Sequence, residues 1–192
     1  MEQALVLASI VLGVAIAFEL EHLNGVLRAK NVTWHWAQPL FALFVLLTII
    51  AFWWGAVNWA ENTSEEDGGS FSLGRFLPMM GQLVLLALMA AASFPDKIGD
   101  EGLDLADYYQ ANRRYQWTLM ALYFWSVYIG YAVHVIQSSE TAGEVFNKLA
   151  FDSVYSVAIT GMIFLRKWWH IAIGFAFVAI APAVWVTRTL GS

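Results

Sequence analysis

Two polar stripes in an otherwise apolar sequence offer the first candidate chemistry. Ser126, Gly130, His134 and Gln137 recur at spacings of four, four and three, which puts them on one face of a helix. Asp152, Ser156 and Thr160 recur at four and four and share a face in the same way. The segment between the two stripes is short, so the helices that carry them are expected to be antiparallel neighbours, with His134 meeting Asp152 inside the bundle. A carboxylate beside an imidazole favours charge while burial opposes it, so such a pair answers to its surroundings. It suits a hydrated cavity or a proton-linked site. The alternative is structural: polar side chains that hold two helices together through interhelical hydrogen bonds.

Histidine invites a second chemistry. Glu19 and His22 stand three apart, on one helix face, as in di-iron bundles. Those bundles need two such motifs and this chain has one. His35 lies between Trp34 and Trp36, and His170 follows Trp168 and Trp169, a setting that fits the membrane interface. Two imidazoles at one depth can ligate a b-type haem, and imidazole with carboxylate can hold zinc or iron. Glu19, His22, His35 and His170 are therefore the candidate ligands for haem or metal, but no spacing fixes a pair and no cofactor is expected.

The densest polar segment runs from Phe94 to Trp117. Pro95 should stop one helix, and Asp100 or Asp104 can cap the next. On that helix Tyr109 and Arg113 are one turn apart, as are Gln110 and Arg114. One reading is a capped, solvated helix start with two basic membrane anchors. The functional reading pairs Asp104 or Asp107 with an arginine, which makes Asp104, Asp107, Tyr109, Arg113 and Arg114 a gate or docking surface. This segment resembles a set of uncharacterised bacterial multi-pass proteins, in which one helix ends in Phe-Pro-Asp and a short acidic loop leads to Asp-Leu, paired aromatics and Arg-Arg. The matching positions are Phe94-Pro95-Asp96, Asp104-Leu105, Tyr108-Tyr109 and Arg113-Arg114. The resemblance implies the bacterial inner membrane and transfers no catalytic residue.

The elements that must position these groups follow from composition. The 192 residues are 59% hydrophobic and only 13% charged, too few charges to cover a water-soluble globule. Most of the ten tryptophans end apolar runs, where amphipathic rings favour the headgroup layer. The net charge of -5 argues against nucleic acid as a partner, and the absence of cysteine excludes disulfides and thiol chemistry. Glu2 stands where a signal peptide would be basic, so the first apolar run is expected to stay in the membrane.

Six apolar stretches approach the roughly 20 residues that cross a bilayer: about 3–20, 37–59, 76–95, 115–137, 149–166 and 168–188. The fifth is the most polar. The fold class is therefore all-α, a polytopic transmembrane bundle of about six helices forming one membrane domain over 1–192. Loops one, three and five hold Arg28, Lys30, Lys97, Arg113, Arg114, Arg166 and Lys167, whereas the opposite side holds Arg75, Lys148 and Arg188. Basic residues stay in the cytoplasm, which puts both termini on the non-cytoplasmic side.

Three functions compete. A small channel or transporter, with its polar site between the fourth and fifth helices, ranks first. An accessory or binding subunit of a larger membrane complex is second, and a His-ligated haem or metal redox protein third. An enzyme is disfavoured because no nucleophile-and-base motif or phosphate loop is present. The expected partners are the lipid bilayer and either further copies of the chain or other membrane proteins.

Overall fold

A computed structural model describes residues 2–63, 73–96, 98–99, 102–139 and 141–182. Among these residues the chain forms six α-helices: α1 (Glu2–Arg28), α2 (Ala37–Thr63), α3 (Leu73–Ala92), α4 (Leu105–Ser138), α5 (Ala142–Met162) and α6 (Trp168–Val178). Two short strands, β1 (Val32–Thr33) and β2 (Leu103–Asp104), complete it. The protein is an all-α membrane bundle. Ala4–Arg28, Ala37–Asn58 and Leu105–Ser138 are long and apolar enough to cross a membrane. The apolar helices Phe76–Ala92 and Trp168–Pro182 are shorter, and α5 has the length but not the hydropathy. The expected residues 183–188 of the sixth helix and the cap at Asp100 lie outside the described residues.

Several boundaries differ from the sequence reading, and each difference has a cause. The first helix continues to Arg28 rather than ending near residue 20, because the length that crosses hydrocarbon is a minimum for a helix and not its end. The third stops at Ala92, since Pro95 disfavours helical backbone in the residue before it. The fourth starts at Leu105, where Asp104 Oδ1 accepts the backbone N–H groups of Ala106 (2.7 Å) and Asp107 (3.2 Å) as an N-cap. The fifth starts at Ala142, capped by the Thr141 hydroxyl, which accepts from Glu144 N. Thr141 and Glu144 have the spacing of a capping box.

The chain divides into two compact units, Met1–Ala111 and Asn112–Ser192. In the first, α1 lies close along α3, and both touch α2. The buried positions of α1 are Ala4, Ala8, Leu12, Ala15, Glu19 and Val26. This is one helix face, rich in alanine, and small residues let two backbones approach closely without lipid between them. The partners on α3 are of the same kind of face: Leu83, Leu86, Met89 and Ala90 are buried.

The loops at one end of this unit are tied together. Val32 pairs with Leu103 and Thr33 with Asp104 in parallel register, so the α1–α2 and α3–α4 connections lie on the same side. Leu103 N donates to Asn31 O (2.8 Å), and Gly102 takes φ 93° to make the approach. A Cβ at Gly102 would stand 2.5 Å from the Asn31 carbonyl oxygen. Beneath this pair Val26, Ala42, Phe94 and Leu105 form an apolar cluster, flanked by Leu23, Val32, Ile98 and Leu103. Val32, Phe94, Ile98 and Leu103 of the two connections are thus packed in this cluster.

In the second unit α5 and α6 run close together, while α4 meets α5 through large aromatic side chains. Trp125 Nε1 donates to Thr160 Oγ1 (3.0 Å), and the hydroxyls of Tyr128 and Ser153 share a 2.8 Å hydrogen bond. As the α4 number rises the α5 number falls, so these helices are antiparallel. Phe124 packs edge-on against Tyr155, whose hydroxyl donates to Val178 O of α6 (2.9 Å).

Candidate functional site

Of the residues singled out in the second unit, Thr160 bonds across to α4 and Ser126 bonds within its own helix. An α-helix turns about 100° per residue, so the stripe of Ser126, Gly130, His134 and Gln137 faces roughly half a turn away from Trp125 and Tyr128, which meet α5. His134 and Gln137 are exposed, and Ser126 donates to its own helix at Tyr123 O (2.7 Å). On α5, Ser156 is buried, Thr160 is joined to Trp125, and Asp152 is half-buried. His134 and Asp152 form no hydrogen bond or ion pair with each other. The two helices pack antiparallel as expected; on α5 the contact includes Thr160 of the expected stripe, and on α4 it uses Trp125 and Tyr128.

The basic segment behaves similarly. Arg113 is 4% exposed. Its Nη1 donates to the carbonyls of Ile163 (2.8 Å) and Leu165 (2.7 Å), in the turn that follows α5. These carbonyls have left the helical ladder, and a guanidinium is well matched to them. Arg113 is therefore a clamp on the α5–α6 turn. Tyr109 is buried, whereas Asp107 and Arg114 are exposed and Asp104 serves as the cap of α4. Of these five residues, Tyr109 and Arg113 are buried and Asp104, Asp107 and Arg114 are exposed.

The histidines separate in the same way. The ring of His35 accepts the Ala37 N–H (3.4 Å) at the start of α2 and lies against Trp36. His170 lies on Trp169, with ring centroids 3.6 Å apart. Among the described residues, no three or more of His, Cys, Asp and Glu come together as a group that could hold a metal ion.

His22 is different, because it belongs to a buried polar cluster at the tied-loop end of the first unit. Its Nε2 lies 3.4 Å from Asp96 Oδ1, and its side chain is 16% exposed. One turn earlier is Glu19, at 1% exposure. Ser93 is the hydroxyl beside the Glu19 carboxyl, but it donates to Met89 O at 3.0 Å. From α2, Gln38 is fully buried, and its Nε2 donates to the Ser93 carbonyl. Tyr108 reaches the Ala92 carbonyl (3.4 Å). Glu19, His22 and Gln38 are thus all tied to the stretch from Ser93 to Asp96, where α3 gives way to the loop.

What distinguishes this cluster is what it leaves without a protein partner. Both oxygens of Glu19, Nδ1 of His22 and Oε1 of Gln38 are buried and make no hydrogen bond within the protein. Burying a polar group without a partner costs about 1–3 kcal/mol, and more for a charged one, so four such atoms near one loop junction form a concentrated destabilising feature. Sequence reasoning named Glu19 and His22 as possible ligands but missed Gln38, Ser93 and Asp96. The signal was present in the spacing of Ala4, Ala8, Leu12, Ala15 and Glu19, which sets a carboxyl on the packing face of the helix. Comparison with known protein families, curated proteins and solved structures finds no match for this chain.

Proposed function

We propose that this chain is a small channel or transporter whose polar site is the Glu19 cluster of the first helical unit. The observation that carries the reading is the Glu19 carboxyl. It sits in Ala4–Arg28, a helix long and apolar enough to cross a membrane, is 1% exposed, and has the Ser93 hydroxyl beside it but, among the described residues, no basic side chain paired with it. Ionisable groups are expensive at such positions, and where they persist they mark ion, proton or substrate paths. The site first expected between α4 and α5 gains less support, because His134 is exposed and the polar groups at that contact are paired with each other.

In this reading the chain crosses the bacterial inner membrane about six times, with both termini on the non-cytoplasmic side. The basic loops, and with them the Glu19 cluster, then face the cytoplasm. Fusion of a reporter after Ser192 tests the orientation and should report the non-cytoplasmic side.

The functional test is cation flux into lipid vesicles that contain the purified chain. Glu19→Gln should lower the flux by about tenfold or more, a loss of order 1.4 kcal/mol in a rate-limiting step, while Asp152→Asn leaves it unchanged. The reverse pattern would return the site to α4 and α5. Vesicles without flux of any small cation would favour an accessory subunit instead.

A further inference from the structure

A buried carboxyl and an exposed one flank the same imidazole at the tied-loop end of the first unit. Resting on the reading of Glu19 as a transport site, we infer that the cation it takes is the proton, exchanged with solvent through His22 and Asp96.

Exposure rises in steps along these three side chains. Glu19 is 1% exposed, the His22 side chain 16% and the Asp96 side chain 79%. Glu19 and His22 stand three apart on α1, which makes them neighbours on one helix face, with Cβ atoms about 5–6 Å apart. His22 Nε2 lies 3.4 Å from Asp96 Oδ1. Both Glu19 oxygens and His22 Nδ1 are without a hydrogen bond inside the protein, so a turn of the Glu19 side chain toward the ring breaks none. Carboxyl and imidazole groups can each take up a proton and give it back.

Size favours the proton over a larger ion. The unpartnered atoms each expose less than 1 Å², and a metal ion or an ammonium needs several of them around a space of its own. A proton needs one lone pair. A buried carboxyl without a basic partner is accommodated as the neutral acid, and that acid is the loaded state of a proton site. Loading begins from the carboxylate left when Glu19 has released its proton. A proton from solvent adds to Asp96 and passes to one ring nitrogen of His22, the other nitrogen gives its proton to Glu19, and a half-turn of the ring restores the start. One proton has left solution, one O–H bond has formed on Glu19, and His22 and Asp96 are unchanged. Either nitrogen can carry the resting proton, because the ring turns.

The neighbouring polar groups play other parts. Gln38 of α2 and Ser93 of α3 do not titrate, and the Tyr108 phenol of α4, which keeps its proton at neutral pH, reaches the Ala92 carbonyl. Toward the other end of α1 the buried face is Ala15, Leu12, Ala8 and Ala4, and the buried residues of α3 include Met89, Leu86 and Leu83. None of these side chains can hand a proton on. Release across the membrane therefore requires α1 to part from α3, as in a carrier with alternating access.

The test is proton flux into vesicles that contain the purified full chain, driven by a pH gradient and read with an enclosed pH-sensitive dye. Valinomycin and potassium clamp the membrane potential, and sodium and potassium flux, measured without the ionophore, are the comparisons. We expect proton flux above that of empty vesicles, lower by about tenfold or more in Glu19→Gln and several-fold lower in His22→Gln and Asp96→Asn. Asp96→Glu keeps a carboxyl and should stay close to the parent. Asp96 is exposed, so its variants disturb the fold little, and they decide the path if Glu19→Gln does not purify. Equal proton flux in Asp96→Asn and the parent overturns the inference, as does Glu19-dependent sodium or potassium flux without proton flux. The second result keeps the transport reading while the proton falls. Absence of all Glu19-dependent flux removes both.

Discussion

The two helical units hold buried polar groups of different kinds. In the second unit several polar groups join helices: Trp125 with Thr160, Tyr128 with Ser153, Tyr155 with Val178 O, and Arg113 through Nη1 with the carbonyls of Ile163 and Leu165. In the first, Glu19 and Gln38 are more deeply buried, yet Glu19 Oε1 and Oε2 and Gln38 Oε1 have no protein partner. Satisfied polar groups within a membrane bundle hold helices together. Unsatisfied ones lower stability, and their retention points to function.

The contrast can be broken most forcefully at Arg113. Arg113→Ala removes two charge-assisted hydrogen bonds and leaves the α5–α6 turn without its clamp. Each such bond contributes about 1.5–3 kcal/mol, so a loss of about 3 kcal/mol is expected in reversible unfolding in detergent. A near-neutral result would mean that the turn holds itself. Gly102→Ala should cost about 2 kcal/mol, since it combines backbone strain at positive φ with a collision at Asn31. Its readout is the unfolding midpoint, and an unchanged value would show that the loop pairing adds little. Tyr128→Phe should cost only about 0.6 kcal/mol, the usual scale of an interhelical hydrogen bond in a membrane, and should leave vesicle flux intact. A flux defect there would make the α4–α5 contact more than structural.

Much of the bundle was legible in the sequence because apolar runs report helices directly. Asp104 was legible as the cap of α4, since a short side-chain acceptor just ahead of the periodic segment has one common use. The inward face of each helix was harder to read. Spacing shows that Ser126, His134 and Gln137 share a face, but it does not say whether that face meets protein or lipid. Trp125 and Tyr128 were not singled out by spacing, yet their polar tips join α4 to α5. Glu19 was read with His22 as a candidate ligand and not as a packing residue, although four and then three residues separate it from Ala15 and Leu12 on the packing stripe. The β1–β2 pairing could not be read at all, because two-residue strands have no periodicity and their partner lies about 70 residues away in the chain.

The sign of one stability change tests the central claim most directly. Leucine is close to glutamate in volume and has no acceptors to satisfy, so Glu19→Leu should fill the α1–α3 contact without the buried carboxyl. If Glu19 is kept for function, the variant unfolds at a higher denaturant concentration than the parent protein in the same detergent, because an apolar group of matching shape relieves the unpaired burial. A lower midpoint would contradict the account, since it would mean that the carboxyl stabilises the helix contact and is a structural residue like those of the second unit.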